Sequence, residues 1–161
     1  MSEIHTLQTT LGPLSIQFTD AKHAYISTGL DNPVTVNRVQ YLVECHVYLW
    51  SDGVWHIGEE GKNEWEQRQS LYMSRVGWVN YKDAHPSRSA HNKAAQELRL
   101  AAHNFAVNNP AIIRDAQREH LREVAEQQDK LYADAMAAAF EIRRQRDQAQ
   151  VTYADFIQDN Y

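Results

Sequence analysis

Residues 38–58 read RVQYLVECHVYLWSDGVWHIG, and their pattern decides what kind of protein this is. Val39–Trp50 is rich in Val, Tyr, Leu and Trp, the residues that fit a pleated, half-buried surface. Asp52-Gly53 supplies the two positive-φ positions of a type I′ turn, and Val54-Trp55-His56-Ile57 returns, so the stretch reads as a β-hairpin. A two-residue turn pairs Ser51 with Val54, Trp50 with Trp55, Leu49 with His56 and Tyr48 with Ile57. One face then carries Tyr41, Val43, Cys45, Val47 and Leu49 and belongs to a core. The other carries Leu42, Glu44, His46, Tyr48, Trp50, Trp55 and Ile57 and needs cover, from the chain's own helices or from a partner.

Before the hairpin, Leu14, Ile16 and Phe18 alternate with polar residues, as in a half-buried strand. Gly12-Pro13 marks a turn and puts an earlier strand at 4–11. His23–Ser27 is a further strand, 28–33 (TGLDNP) a loop, and Val34–Val36 a short strand or a run-in to the long one. After the hairpin, Leu71, Tyr72, Met73, Val76, Trp78, Val79 and Tyr81 show no clean period, and 70–76 is read as a strand. Beyond Pro86 the composition turns to Ala, Glu, Gln and Arg. A helix over 86–108 has Ala94, Leu98, Ala101 and Phe105 on one stripe, with Ser87 or Ser89 as its cap. A second runs from Pro110 to about Gln150, and Thr152–Asp155 has a capping pattern that opens a separate terminal helix. The expected fold is α+β: an N-terminal antiparallel meander of about five strands, 1–83, followed by a region of two long helices, 84–161, that packs on the sheet.

In the second helix Leu121, Val124, Gln128, Leu131, Ala135, Ala138, Ile142, Gln145 and Ala149 follow 4-3 spacing. That is the seam of a coiled coil, weakened by two Gln and by small Ala residues. Self-association through this helix is therefore expected. Leu121, Val124, Gln128, Leu131, Ala135 and Ile142 would form the protein interface, with Trp50 and Trp55 at the hairpin as a second contact.

Composition narrows the function. The 161 residues carry a formal net charge of -5, from 16 basic and 21 acidic side chains, which disfavours general nucleic-acid binding. A single cysteine, Cys45, excludes an internal disulfide and a cysteine zinc cluster. No signal peptide and no membrane-length apolar run is visible, so the expected location is cytoplasmic.

Reactive chemistry is hard to find. The eight histidines include no i, i+4 helical pair and no HExxH, and the expected hairpin pairing puts His46 and His56 on opposite faces. His103 and His120 sit where an antiparallel helix pair would bring them together, without a carboxylate to complete a site. Gly58–Lys62 has two residues between its glycines where a phosphate-binding loop needs four. Cys45 lies mid-strand on the apolar face, where a thiol is inert. Glu59, Glu60, Glu64 and Glu66 form a carboxylate cluster better read as a solvated turn than as a hydrolase pair. Arg143-Arg144-Gln145-Arg146 is explained as a helix C-terminal end complementing the macrodipole. No catalytic, metal or cofactor residue is assigned; the expectation is a protein that is not an enzyme and needs no cofactor.

One alternative stands beside this. Trp65, Arg68, Tyr72, Arg75, Trp78, Tyr81, Lys82 and Arg88 interleave aromatic and basic residues, a composition that can stack bases and hold phosphates of a single strand. Trp65, Arg68, Tyr72, Arg75 and Arg88 would carry it. Their bland reading is that the aromatics complete the core beneath the sheet.

The run VTVNRVQYLVECHVYLWSDGVWHIGEE, then LYMSRVGW and an Ala/Glu/Arg-rich tail, resembles small accessory proteins of actinobacterial phages. The resemblance implies binding to a host protein, for takeover or defence evasion. It transfers no residue role, and with the heptad seam it makes a self-associating, partner-binding module the leading expectation.

Overall fold

The strand expected at Val39–Trp50 is the spine of the sheet. In the computed structural model, which describes residues 2–77 and 85–160, it runs Val39–Leu49 (β5) and pairs along both edges. The other strands are β1 (Ile4–Thr9), β2 (Gly12–Phe18), β3 (His23–Ser27), β4 (Val34–Val36), β6 (Trp55–Ile57) and β7 (Leu71–Arg75). All pairings are antiparallel. Tyr41 faces both Val34 and Arg75, and Val47 faces both Ala24 and Ile57. So β3 and β4 lie end to end along one edge of β5, and β6 and β7 along the other. The described sheet has seven strands rather than about five: 34–36, read as a strand or a run-in, is a strand of its own, and 55–57 and 71–75 both pair with β5.

Two turns set the register. Asn37 and Arg38 join Val36 to Val39 at φ of 50° and 66°, the two-residue turn with both central residues left-handed. At the tip of the next hairpin the expected two-residue turn is not what forms. Gly53 N–H donates to the Trp50 carbonyl and Trp50 N–H to the Val54 carbonyl, so the loop is Ser51-Asp52-Gly53 with Gly53 at φ 79°. That is a three-residue loop closed by a left-handed glycine. Leu49 therefore pairs with Trp55, Tyr48 with His56 and Val47 with Ile57. The one-residue difference turns each returning side chain to the other face. Trp55 enters the core at 3% exposure, and His56 joins His46 on the outer face, where opposite faces were expected.

Among the described residues three helices follow: α1 (Glu64–Gln69), α2 (Arg88–Asn108) and α3 (Pro110–Asn160). Asn63 caps α1, its side chain accepting from Glu66 N–H, and Ser87 caps α2 by accepting from Ala90 N–H. α2 packs across β1, β4 and β6. It does so through Ala90, Ala94, Leu98, Ala102 and Ala106, which recur every fourth residue. Short side chains let the helix backbone lie close to the sheet, and Leu98 fills the centre. Ala101 and Phe105, placed on the stripe by sequence, flank it half-buried. Phe18 meets Trp55 edge-on at 5.5 Å and Phe105 face-on at 6.1 Å. These rings, with Leu7, Ile16, Ile26, Val43, Cys45 and Val47, make one core between the sheet's inner face and α2.

α3 is continuous from Pro110 to Asn160, with no second start at Thr152. The Thr152 hydroxyl bonds back to the Gln148 carbonyl in place of capping a new helix. Arg143–Arg146 thus lies mid-helix, and the macrodipole does not account for it; Arg144 pairs with Glu141 and Arg146 with Asp147. The chain divides into two compact units, 1–120 and 121–161. In the first, Ile112, Ile113 and Ala116 of α3 join the core. Among the described residues, no helix is long and apolar enough to cross a membrane.

Candidate functional site

Three surfaces are candidates for function. The seam on α3 is the first. Leu121, Leu131 and Ile142 are 59%, 68% and 68% exposed, and no residue of 121–160 is buried. Val124 is half-buried, and Gln128 and Ala135 are exposed. Because the helix continues past 150, Tyr153 and Phe156 prolong the same apolar stripe, and both are exposed. Tyr132, Met136 and Phe140 widen it. Charges flank it: Arg122 lies beside Glu126, and Glu141 beside Arg144.

The second is a groove of about 460 Å³ where α1, β7 and the start of α2 meet. Trp65, Arg68, Tyr72 and Arg88 line it with His85 and His91. Trp65 and Tyr72 are exposed, Arg68 pairs with Glu64 at 2.9 Å, and His91 Nε2 lies 3.2 Å from the Leu71 carbonyl. Arg75 is not part of the lining; it ends β7 opposite Tyr41. Trp78, Tyr81 and Lys82, the rest of the aromatic-basic run, lie outside the described residues. The groove exists because 64–69, unreadable by period, folds as a helix. The signal for it was Asn63 followed three residues later by Glu66, a capping pattern.

The third was not expected from the sequence. The outer face of the sheet carries a continuous ladder of rings. Tyr25 lies 5.1 Å from His46, His46 lies 5.3 Å from His23, and His23 stacks on Tyr48 at 4.5 Å. Alternation puts all four on one face. The β3–β5 register, His23 opposite Tyr48 and Tyr25 opposite His46, brings them together. Burial holds His23 below its ordinary pKa, and the neighbouring His46 pushes the same way, against Asp20 and Glu59. Burial raises the Tyr48 phenol, and Glu59 and Asp20 raise it further; burial and then Glu44 do the same to Tyr25.

The hairpin tip is tied to itself. Trp50, half-buried, stacks on His56 at 3.9 Å and donates Nε1–H to the Gly58 carbonyl at 2.9 Å. His56 Nε2 lies 2.8 Å from Asp52 Oδ2. The Val54 N–H bond, then His56, holds the Asp52 carboxyl below the usual range. Of the two expected interface tryptophans, Trp55 is in the core and Trp50 packs within the hairpin.

The remaining candidates do not assemble. Glu59, Glu60, Glu64 and Glu66 are exposed; Glu60 bonds the Ser51 hydroxyl and Glu64 pairs with Arg68. Cys45 is fully buried and its thiol is pushed up to about 12. His103 Nδ1 accepts from Trp55 N–H at 3.4 Å. Among the described residues no three metal-ligating side chains converge. No protein family, curated protein or solved structure matches the chain.

Proposed function

We propose that the protein is a non-enzymatic interaction module that self-associates through the helix 121–160. The observation that carries this is the exposed apolar stripe of Leu121, Leu131, Ile142, Tyr153 and Phe156. Each fully covered Leu or Ile is worth roughly 1.5–3 kcal/mol. A helix of that length gains its stability in water from packing on another surface more than from propensity. A second copy of the same helix fits, because 4-3 spacing is the pattern that interlocks with its own kind. In a parallel, in-register pair Gln128 meets Gln128 and Gln145 meets Gln145, so each side-chain amide finds a partner. The phage resemblance adds a host protein as the further partner of the dimer.

Light scattering and sedimentation over a concentration series test the reading. A mass that rises to a dimer, and returns to the monomer in Leu131→Asp, supports it. A strict monomer at high micromolar concentration, indifferent to that substitution, refutes it.

A second reading rests on the groove. Trp65 and Tyr72 supply exposed rings and Arg68 and Arg88 supply cations, the combination that binds a single nucleic-acid strand. It works against the net charge of -5. Binding of a labelled oligonucleotide that weakens steeply with salt, and is lost in Arg88→Glu, is the result it requires.

A further inference from the structure

The ring ladder contains a pair of histidines in an unusual relation. His23 Nε2 lies 3.1 Å from His46 Nδ1, with ring planes within 17° and centroids 5.3 Å apart. Two imidazole radii of roughly 1.1 Å added to that separation come to about 5.3 Å, so the nitrogens meet head-on in a nearly linear N–H···N bond.

The rest of the network orients the bond. Thr19 Oγ1 is 3.2 Å from the His23 carbonyl and 2.7 Å from His23 Nδ1. The carbonyl accepts only, so the hydroxyl donates to it, and its oxygen accepts from His23 Nδ1–H. The tautomers assigned by this network leave the His23 Nε2 lone pair to accept from His46 Nδ1–H. His46 is exposed and His23 half-buried, so His46 Nε2 is the pair's open proton site.

We propose that His23 and His46 form a one-proton switch on the outer face of the sheet. When the pair takes up one proton, the imidazolium donates N–H to its neutral partner in a charge-assisted bond. A second proton must take the His23 Nε2 lone pair, which breaks the bond and sets two cations side by side. The groups around the pair set the window. Tyr48 stacks on His23, Tyr25 tilts against His46, Asp20 and Glu59 act on His23, and Glu44 acts on Tyr25. Lys22, exposed, precedes His23. His56 pairs across from Tyr48, and Tyr72 from Glu44. The carboxylates favour the first charge, and the burial of His23 disfavours the second. The outer face thus changes by a single positive charge over mildly acidic pH, where two independent histidines would add two.

Nitrogen-detected NMR of the histidine rings in the full chain, from pH 8 to 4.5, tests this. At pH 8 both rings should be the Nδ1–H tautomer. Protonation of the pair should come in two steps separated by more than about one pH unit. In His46→Gln, His23 should titrate at higher pH, its amide spectrum showing the fold intact. In Thr19→Val, His23 should lose its single tautomer. Uptake of both protons in a single step, or a His23 curve unmoved by His46→Gln, would each overturn the switch.

Discussion

Single side chains carry consequences that are measurable one at a time. Arg38 sits at φ 66° in a turn whose second position favours glycine. Arg38→Gly should stabilise the fold by up to about 1 kcal/mol in chemical denaturation. Gly58 is the converse. It has φ +86°, and an added Cβ would lie 2.8 Å from the Gln67 Cα, which is backbone and cannot swing away. Gly58→Ala should cost about 2 kcal/mol or more. His23 is held below its ordinary value of 6.5, so the unfolded chain binds the proton more readily than the folded one. Its contribution to stability is therefore present above pH 6.5 and lost as pH falls through the folded-state value. A smaller acid-side loss of unfolding midpoint in His23→Gln than in the parent would bear that out. Cys45 should be silent to thiol reagents in the folded chain and react on unfolding. Its inertness was legible in the sequence, because alternation along β5 fixes which face it takes.

At the level of elements, the hairpin shows how little separates a right pattern from a right register. Strand, turn residues and core face of β5 all follow from composition and alternation. The loop length does not, because Ser51-Asp52-Gly53 and Asp52-Gly53 both suit a tight turn. The choice is made by the core. The three-residue loop puts Trp55 against Phe18, burying a large ring that the two-residue loop would leave outside. Trp55→Ala should therefore cost about 3–5 kcal/mol, the penalty of a core position. Leu98→Ala, in the middle of the alanine stripe of α2, should cost about 2–5 kcal/mol by the same assay. The ladder of Tyr25, His46, His23 and Tyr48 was invisible for a related reason. Each ring sits at an ordinary alternating position, and only the β3–β5 register makes them neighbours. Four residues of the groove were in view as an aromatic-basic run, but its shape was not, because α1 is too short to declare a period.

For the whole molecule, the division at His120 separates what each unit should do under mutation. Leu131→Asp belongs to 121–161, where no described residue is buried. It should leave the amide spectrum of residues 2–77 unchanged while abolishing self-association. If it instead perturbs the sheet, the seam has been assigned the wrong partner. The sequence by itself determined the α+β class, the strand-then-helix order, the core face of β5, the burial of Cys45 and the two long helices. Each is written in local periodicity, and periodicity of 2 or 3.6 reports which side of an element is apolar whatever it packs on. Tertiary structure alone decided which residues meet across elements. It set the Trp55 register, the head-on histidines and the groove between α1 and α2. Those outcomes depend on long-range burial and on backbone groups competing for partners, and no window of neighbouring residues contains either.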